Sequence, residues 1–298
     1  MTGTSPWGRR EFLLASAGLA LAPLAEAKAP PADRKRLGVV LGGGSARGFA
    51  HIGVIKALEA ARIRPDVIVG CSAGSLVGAF WAAGYTGAQM EDLALRVKDT
   101  EVIDLIAGKQ NYGMVSGRGL QGFVNQALHG QTIEQLPIPF AAVATRYPEG
   151  ELVAFQTGDT GFAVRASCSI PGVFIPASGD GGDYLDGGLV SPIPVATARR
   201  LGAEVVLAVD VGGPDENADK SLSIYNVVMR SFEIMSQSLR KHETTDADVV
   251  VRPEVARVRS TDFSARKLLI ALGQHAGARL VPVLRAKMGP PPVQRKPS

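Results

Sequence analysis

"LGVVLGGGSARGFAHIGVIKALEAARIRPDVIVGCSAGSLVGAF", Leu37 to Phe80, decides the fold. Its first five residues, Leu37 to Leu41, are apolar and closed by glycines, which marks a short buried strand. From Ala50 to Ile63, Ile52, Ile55, Leu58 and Ala61 recur at helical spacing until Pro65 breaks the pattern. A second strand, "DVIVG", follows at once, and "AGSLVGAFWAAG" continues as an apolar helix stopped by Gly84. Strand, helix, strand, helix implies parallel pairing. The loops after both strands then share the carboxyl edge, where open α/β sheets place their sites.

Both loops carry chemistry. Gly70-Cys71-Ser72-Ala73-Gly74 has the spacing with which hydrolases present a nucleophilic serine at a sharp strand-to-helix turn. The loop one strand earlier, "GGGSARG", invites a dinucleotide-binding reading, but the count fails: Arg47 stands where the third glycine should be, or Ser45 where the second should be. The phosphate-loop pattern fails too, because no Lys-Ser/Thr follows Gly48. Three successive glycines leave backbone N–H groups open to a ligand at a helix N-terminus, where the field favours negative charge. An oxyanion on a carbonyl attacked by Ser72 is such a ligand. Gly43 and Gly44 are then the best-placed donors, and Arg47 braces the loop or meets a phosphate.

Further elements follow in α/β order. Helical patterns run from Ala88 to about Lys98 and over "GRGLQGFVNQAL", with a glycine-containing, mobile connection expected between them. "FAAVATRY" and "LVAFQTG" read as strands joined at Pro148-Glu149-Gly150. "FAVRASCSI" is a short helical piece, and "VFIPASGDGGDYLDGGLVSPIP" is too irregular for a long element. Then come helix "VATARRLG", strand "AEVVLAVDV", helix "YNVVMRSFEIMSQSLRKHE", strand "ADVVVRPEV" and a final helix from about Ser264 to Lys287. There is no internal repeat.

The 298 residues, 46% of them hydrophobic, suffice for a substantial core. The expected organisation is an export signal over 1–27, a linker over 28–36, one α/β domain over 37–288 and a disordered tail over 289–298. Arg9-Arg10, a modest apolar run and Ala25-Glu26-Ala27 resemble a cleavable twin-arginine signal, which implies a periplasmic or secreted protein. The run from Phe12 to Leu24 is too short to span a bilayer at roughly 20 residues per helix. Cys71 and Cys168 are the only cysteines, so there is no disulfide framework. A net charge of +4 without a dense basic block gives no nucleic-acid footprint. Peripheral contact with an anionic lipid surface stays compatible with it, as does the basic and apolar final helix, for which packing on the core is the plainer alternative.

Ser72 needs a base, and the chain has four histidines. His242 ends a polar helix, His275 sits in a basic helix, His129 in a loop, and His51 on a packing face behind the glycine loop. Among acids, Asp186 is followed by Gly187 and Gly188, which let a carboxylate approach another backbone closely. A buried carboxylate with a raised pKa can accept a serine proton in a positioned contact. Asp180 and Asp183 lie in turn-like runs, and Asp210 ends a strand and remains an alternative.

Gly42-Gly43-Gly44 with Arg47-Gly48, then Gly70-Cys71-Ser72-Ala73-Gly74, then Asp186-Gly187-Gly188, in that order, resemble the patatin-like phospholipases. The likeness extends through "AHIGVIKALE", "RASCSIPGVFIP" and "GLVSPIPVATARRLGAEVVLAVDV", roughly Leu37 to Val211, and fades beyond. The resemblance implies a three-layer α/β/α domain with a mainly parallel central sheet. It also implies a Ser72-Asp186 dyad without histidine, a Gly43/Gly44 oxyanion hole, no metal or other cofactor, and a phospholipid or other fatty-acyl ester as substrate. Here two residues, Ser45 and Ala46, separate the glycine triplet from Arg47 where the family has one, which leaves the donors open by one residue. A carboxylesterase with a Ser-Asp-His triad and a non-catalytic lipid-binding protein are the alternatives.

Overall fold

Leu37, Val39 and Leu41 pack into one apolar core while Val40 packs into another. The same alternation splits Ile68 from Val67, Val69 and Cys71, and Val205, Leu207 and Val209 from Val206 and Ala208. Strands with cores on both faces need no polar alternation, which is why "LGVVL" and "VVLAV" read as continuous apolar runs.

The computed structural model describes residues 34–98, 115–213 and 221–289. The expected signal, most of the linker, most of the connection before "GRGLQGFVNQAL" and the tail from residue 290 lie outside them. In chain order the described elements are β1 (Leu37–Leu41), α1 (Phe49–Ala60), β2 (Val67–Cys71), α2 (Ala73–Ala82), α3 (Gly87–Arg96), α4 (Arg118–Ala127), β3 (Phe140–Tyr147), β4 (Leu152–Phe155), α5 (Thr160–Ser167), β5 (Ala177–Gly179), β6 (Gly182–Asp186), α6 (Val195–Arg200), β7 (Val205–Val209), α7 (Ile224–Glu243), β8 (Val249–Val251) and α8 (Arg266–Met288). Each helix and strand expected within these residues is present. The stretch around "ASGDGGDYLD" also contains a short hairpin, β5 and β6, which the glycines and acids there conceal from a pattern of hydrophobic alternation.

Hydrogen bonds link the strands in the chain β5-β6-β3-β2-β1-β7-β8, with β4 also on β3. β3-β2, β2-β1, β1-β7 and β7-β8 are parallel, whereas β3-β4, β3-β6 and β5-β6 are antiparallel. The register around β3 fixes the site. Val143 pairs with both Cys71 of β2 and Ala154 of β4, and Ala144 pairs with both Asp186 of β6 and Val153 of β4. A strand has two edges, so β4 holds one, and β2 and β6 share the other. Running in opposite directions, β2 and β6 end head to head beside Val143 and Ala144.

The final helix packs on α1. Gly53 and Gly273 are the contact points, and a Cβ on either would strike the backbone of Ile270 or Ala50 on the facing helix. Leu269, Ile270 and Leu284 are buried, so the core-packing alternative accounts for this helix. Among the described residues no helix is long and apolar enough to cross a membrane.

Candidate active site

Ser72 stands between β2 and α2 with φ 52° and ψ −126°, a conformation rarely adopted by residues with a side chain. Its neighbours explain how so sharp a turn closes. A Cβ on Gly70 would collide with Ser75, and one on Gly74 with the Leu41 backbone of the adjacent strand. Both glycines of the Gly-x-Ser-x-Gly spacing are therefore steric requirements. Ser75 holds the turn from the other side, its hydroxyl donating to the Ser72 carbonyl at 2.7 Å.

Where β2 ends, α5 fills the gap in the sheet. The Ser167 hydroxyl donates to Val143 O at 2.6 Å and accepts from the Ser72 N–H at 2.8 Å. Two residues on, Ser169 O accepts the Asp186 N–H at 2.8 Å. Thr145 donates its hydroxyl to Asp186 O at 2.8 Å. Gly187 lies against Val143 O so closely that any Cβ would strike that oxygen. One serine-bearing helix end thus anchors the backbones of Ser72 and Asp186 together.

The Asp186 carboxyl is buried, and burial pushes its pKa up to about 6 against the pull of the Ser72 hydroxyl and the Gly188 N–H. Its Oδ1 accepts that N–H at 2.7 Å. Its Oδ2 is buried without a hydrogen-bond partner. The Ser72 hydroxyl is thus a neighbour that pulls the Asp186 pKa down without closing a full hydrogen bond. Asp210, the alternative acid, is held by Arg240 at 3.7 Å and Arg252 at 3.4 Å. Asp180 is exposed and Asp183 partly so.

The glycine loop adjoins the elbow: a Cβ on Gly43 would sit 3.4 Å from Cβ of Ser72. Of the two N–H groups expected to face a ligand, one is engaged within the protein. The Gly43 N–H is taken by Pro192 O at 3.1 Å, and that of Gly42 by Val209 O at 3.0 Å. Gly44 and Ser45, which open the short 3₁₀ turn Ser45–Gly48, have backbone N–H groups with no partner among the described residues. Ser45 takes φ 52°, the left-handed region that a glycine would occupy without strain. Arg47 braces the loop and is 2% exposed, donating to Val258 O at 2.8 Å and Gly213 O at 2.9 Å. Gly48 packs against Ala73, where a Cβ would meet that residue's Cβ at 2.5 Å.

His129, His242 and His275 are exposed. His51 is fully buried, its Nε2 2.8 Å from Gly42 O, and burial lowers its pKa to about 4 against the opposing effect of that contact. A neutral ring facing a carbonyl must carry its proton on Nε2, so His51 steadies the glycine loop from behind. This burial agrees with the packing face expected for it. Ser167 is absent from the expected site residues, although "RASCSIP" displays two serines at the end of a short apolar helix. Cys71 and Cys168 are buried thiols, and burial pushes both up in pKa, which favours the protonated thiol over the thiolate. No cluster of metal-ligating side chains occurs among the described residues.

Residues 39–199 match the family model described as patatin-like phospholipase. Over 232 residues the chain is 32% identical to the human patatin-like phospholipase domain-containing protein 6, covering 75% of this chain and 16% of that protein. It is 37% identical over 189 residues to lysophospholipase NTE1 of Coccidioides immitis, covering 61% and 12%. An uncharacterized NTE family protein of Mycobacterium tuberculosis is 35% identical over 187 residues, covering 60% of this chain and 50% of that one. The chain thus spans half the length of such relatives, or less. Among solved structures, VipD of Legionella pneumophila aligns with a TM-score of 0.48 at 12% identity, covering 84% of this chain and 67% of that one. The type III effector ExoU aligns with a TM-score of 0.47 at 14% identity, covering 86% and 53%. By the family model that matches more than half of its length, the chain belongs to the patatin-like phospholipase family.

Proposed function

We propose that the protein is a serine lipid acyl hydrolase of the phospholipase A or lysophospholipase kind, working through a Ser72-Asp186 dyad. The observation that carries this reading is the meeting of β2 and β6 on one edge of β3, which brings a buried carboxyl with an unpartnered oxygen beside a strained serine. Ser72 Oγ attacks the ester carbonyl and Asp186 Oδ2 takes its proton. With a pKa of about 6, Asp186 is ionised at neutral pH yet basic enough to accept. The proton passes to the departing alcohol, and water, deprotonated by Asp186 in turn, releases the fatty acid from the acyl-serine.

The negative oxygen needs donors, and the open N–H groups of Gly44 and Ser45 supply them. Each contributes about 3 kcal/mol by comparison with known oxyanion donors. The Gly43 N–H holds the loop instead. The family match and the relatives named lysophospholipase and phospholipase support lipid esters as substrates.

Ser72→Ala and Asp186→Asn should each abolish hydrolysis of a short p-nitrophenyl ester and of a phospholipid while the protein stays folded. A fluorophosphonate should label the wild type at Ser72. A wild type that is neither labelled nor active means a non-catalytic lipid-binding protein, and loss of the serine step on replacing a histidine other than His51 means a triad esterase. Export of the chain by residues 1–27 is a separate proposal, which Arg9→Lys with Arg10→Lys tests by retaining the protein in the cytoplasm.

A further inference from the structure

Glu243 ends α7, beyond the residues that match the family model. Its carboxylate accepts the Ser191 hydroxyl on one oxygen and the Ile193 N–H, at 2.7 Å, on the other. Between those two donors stands Pro192, whose carbonyl accepts the Gly43 N–H at 3.1 Å. The same segment is tied back to the Asp186 turn, since the Ser191 N–H is donated to Gly187 O at 2.8 Å. Gly42 packs on it as well, with Pro192 O and Ile193 Cγ1 each 3.2 Å from where its Cβ would be. Residues 191–193 thus touch both the glycine loop and the acid turn, and Glu243 grips them on both sides of Pro192.

We propose that Glu243 is a positioning residue for the hydrolysis: by fixing residues 191–193 it holds the Gly43 N–H on Pro192 and leaves the Gly44 and Ser45 N–H groups turned toward the reacting carbonyl. This rests on the oxyanion assignment above. Helix docking alone would not need two acceptor oxygens on one side chain, and an apolar residue would serve it better. Burial drives the Glu243 carboxyl up to about 7 against the pull of both hydrogen bonds. A Gln at this position offers one acceptor oxygen and turns an NH₂ toward the second donor.

The test compares wild type, Glu243→Gln, Ser191→Ala and the double variant. It reads kcat and KM on a p-nitrophenyl ester and amide hydrogen exchange at Gly43, with Val40 in the adjoining strand as reference. Glu243→Gln should lower kcat about tenfold or more with KM nearly constant, as expected when reacting groups are misplaced by a fraction of an ångström. Exchange at Gly43 should quicken while Val40 stays protected. Ser191→Ala should do both more weakly, and the double variant should be no worse than Glu243→Gln alone, because both changes break one linkage. Unchanged kcat and Gly43 protection in Glu243→Gln overturn the proposal, whatever happens to the melting temperature. If Glu243→Gln does not fold, an unchanged Gly43 in Ser191→Ala does the same. A wild type without Ser72-dependent hydrolysis sinks the enzyme reading instead, and Gly43 exchange still decides whether the clamp exists.

Discussion

Asp186 meets Ser72 from the opposite direction along the same edge of β3, its strand pairing with Ala144 just beyond the point where Cys71 pairs with Val143. In the proposed dyad, backbone register therefore does the work that a third side chain does in a triad. Val143 O, left at the junction, is satisfied by Ser167, which also holds the Ser72 N–H. The orienting group for the acid is the Gly188 N–H rather than a side chain.

Keeping Asp186 buried costs stability whenever it is ionised. Its pKa rises from 3.8 to about 6 on folding. The sign follows from a raised acid: the contribution to stability is intact below pH 3.8 and is lost as pH rises through about 6. Two pKa units correspond to about 3 kcal/mol. Asp186→Asn keeps an oxygen for the Gly188 N–H and removes the charge, so urea unfolding at pH 8 should show an inactive variant more stable than wild type by up to about 3 kcal/mol. The advantage should vanish near pH 4. A variant less stable than wild type at pH 8 would mean that the carboxylate is not desolvated.

On the proposed mechanism the same group sets the acid limb of activity. For an uncharged ester, kcat/KM should rise with pH up to about 6 and then level off, as Asp186 loses its proton in the free enzyme. The limb should persist when His129, His242 and His275 are each replaced by Gln, since all three are exposed. Its disappearance in any one of them transfers the role of base to that imidazole.

The elbow glycines differ sharply from glycines in open space. In Gly74→Ala and Gly70→Ala the new methyl meets backbone that cannot move away, at Leu41 and Ser75. Each should cost about 3 kcal/mol or more and leave little soluble active enzyme. Gly122 in α4 has nothing within 4 Å of a Cβ, so Gly122→Ala should instead stabilise by about 0.5–1 kcal/mol. Thermal melts of the three variants check both directions.

How far the sequence could be read depended on whether local pattern or distant contact set the feature. The parallel strands and their helices were legible because two buried faces force continuous apolar runs between glycine stops. The elbow was legible for the same local reason, its two glycines being required by neighbours that the motif itself brings close. β6 was hidden because "GDYLD" pairs with a half of β3 that has already left the parallel sheet. The engagement of the Gly43 N–H was hidden because its acceptor, Pro192 O, lies nearly 150 residues away. Glu243 was hidden for the same reason, since no local pattern marks a helix-end acid as the clamp of a distant loop.

His51 gives the glycine loop its own test. Its Nε2–H supports Gly42 O at 2.8 Å, and its Nδ1 is buried without a partner. His51→Leu removes that donor and leaves a buried carbonyl unsatisfied, at a cost of about 1–3 kcal/mol near neutral pH. Because the loop then loses its rear support, kcat should fall more than KM rises. The acid dependence gives a second readout. A histidine whose pKa falls from 6.5 to about 4 on folding stabilises the protein above pH 6.5, and that contribution is lost as pH drops toward 4. Asp186 works with the opposite sign over nearly the same range, so the comparison belongs in an Asp186→Asn background. There the His51-containing protein should lose about 3 kcal/mol between pH 6.5 and 4, and its His51→Leu partner should not. Parallel acid curves for the two would mean that the ring beside Gly42 is already protonated or open to water.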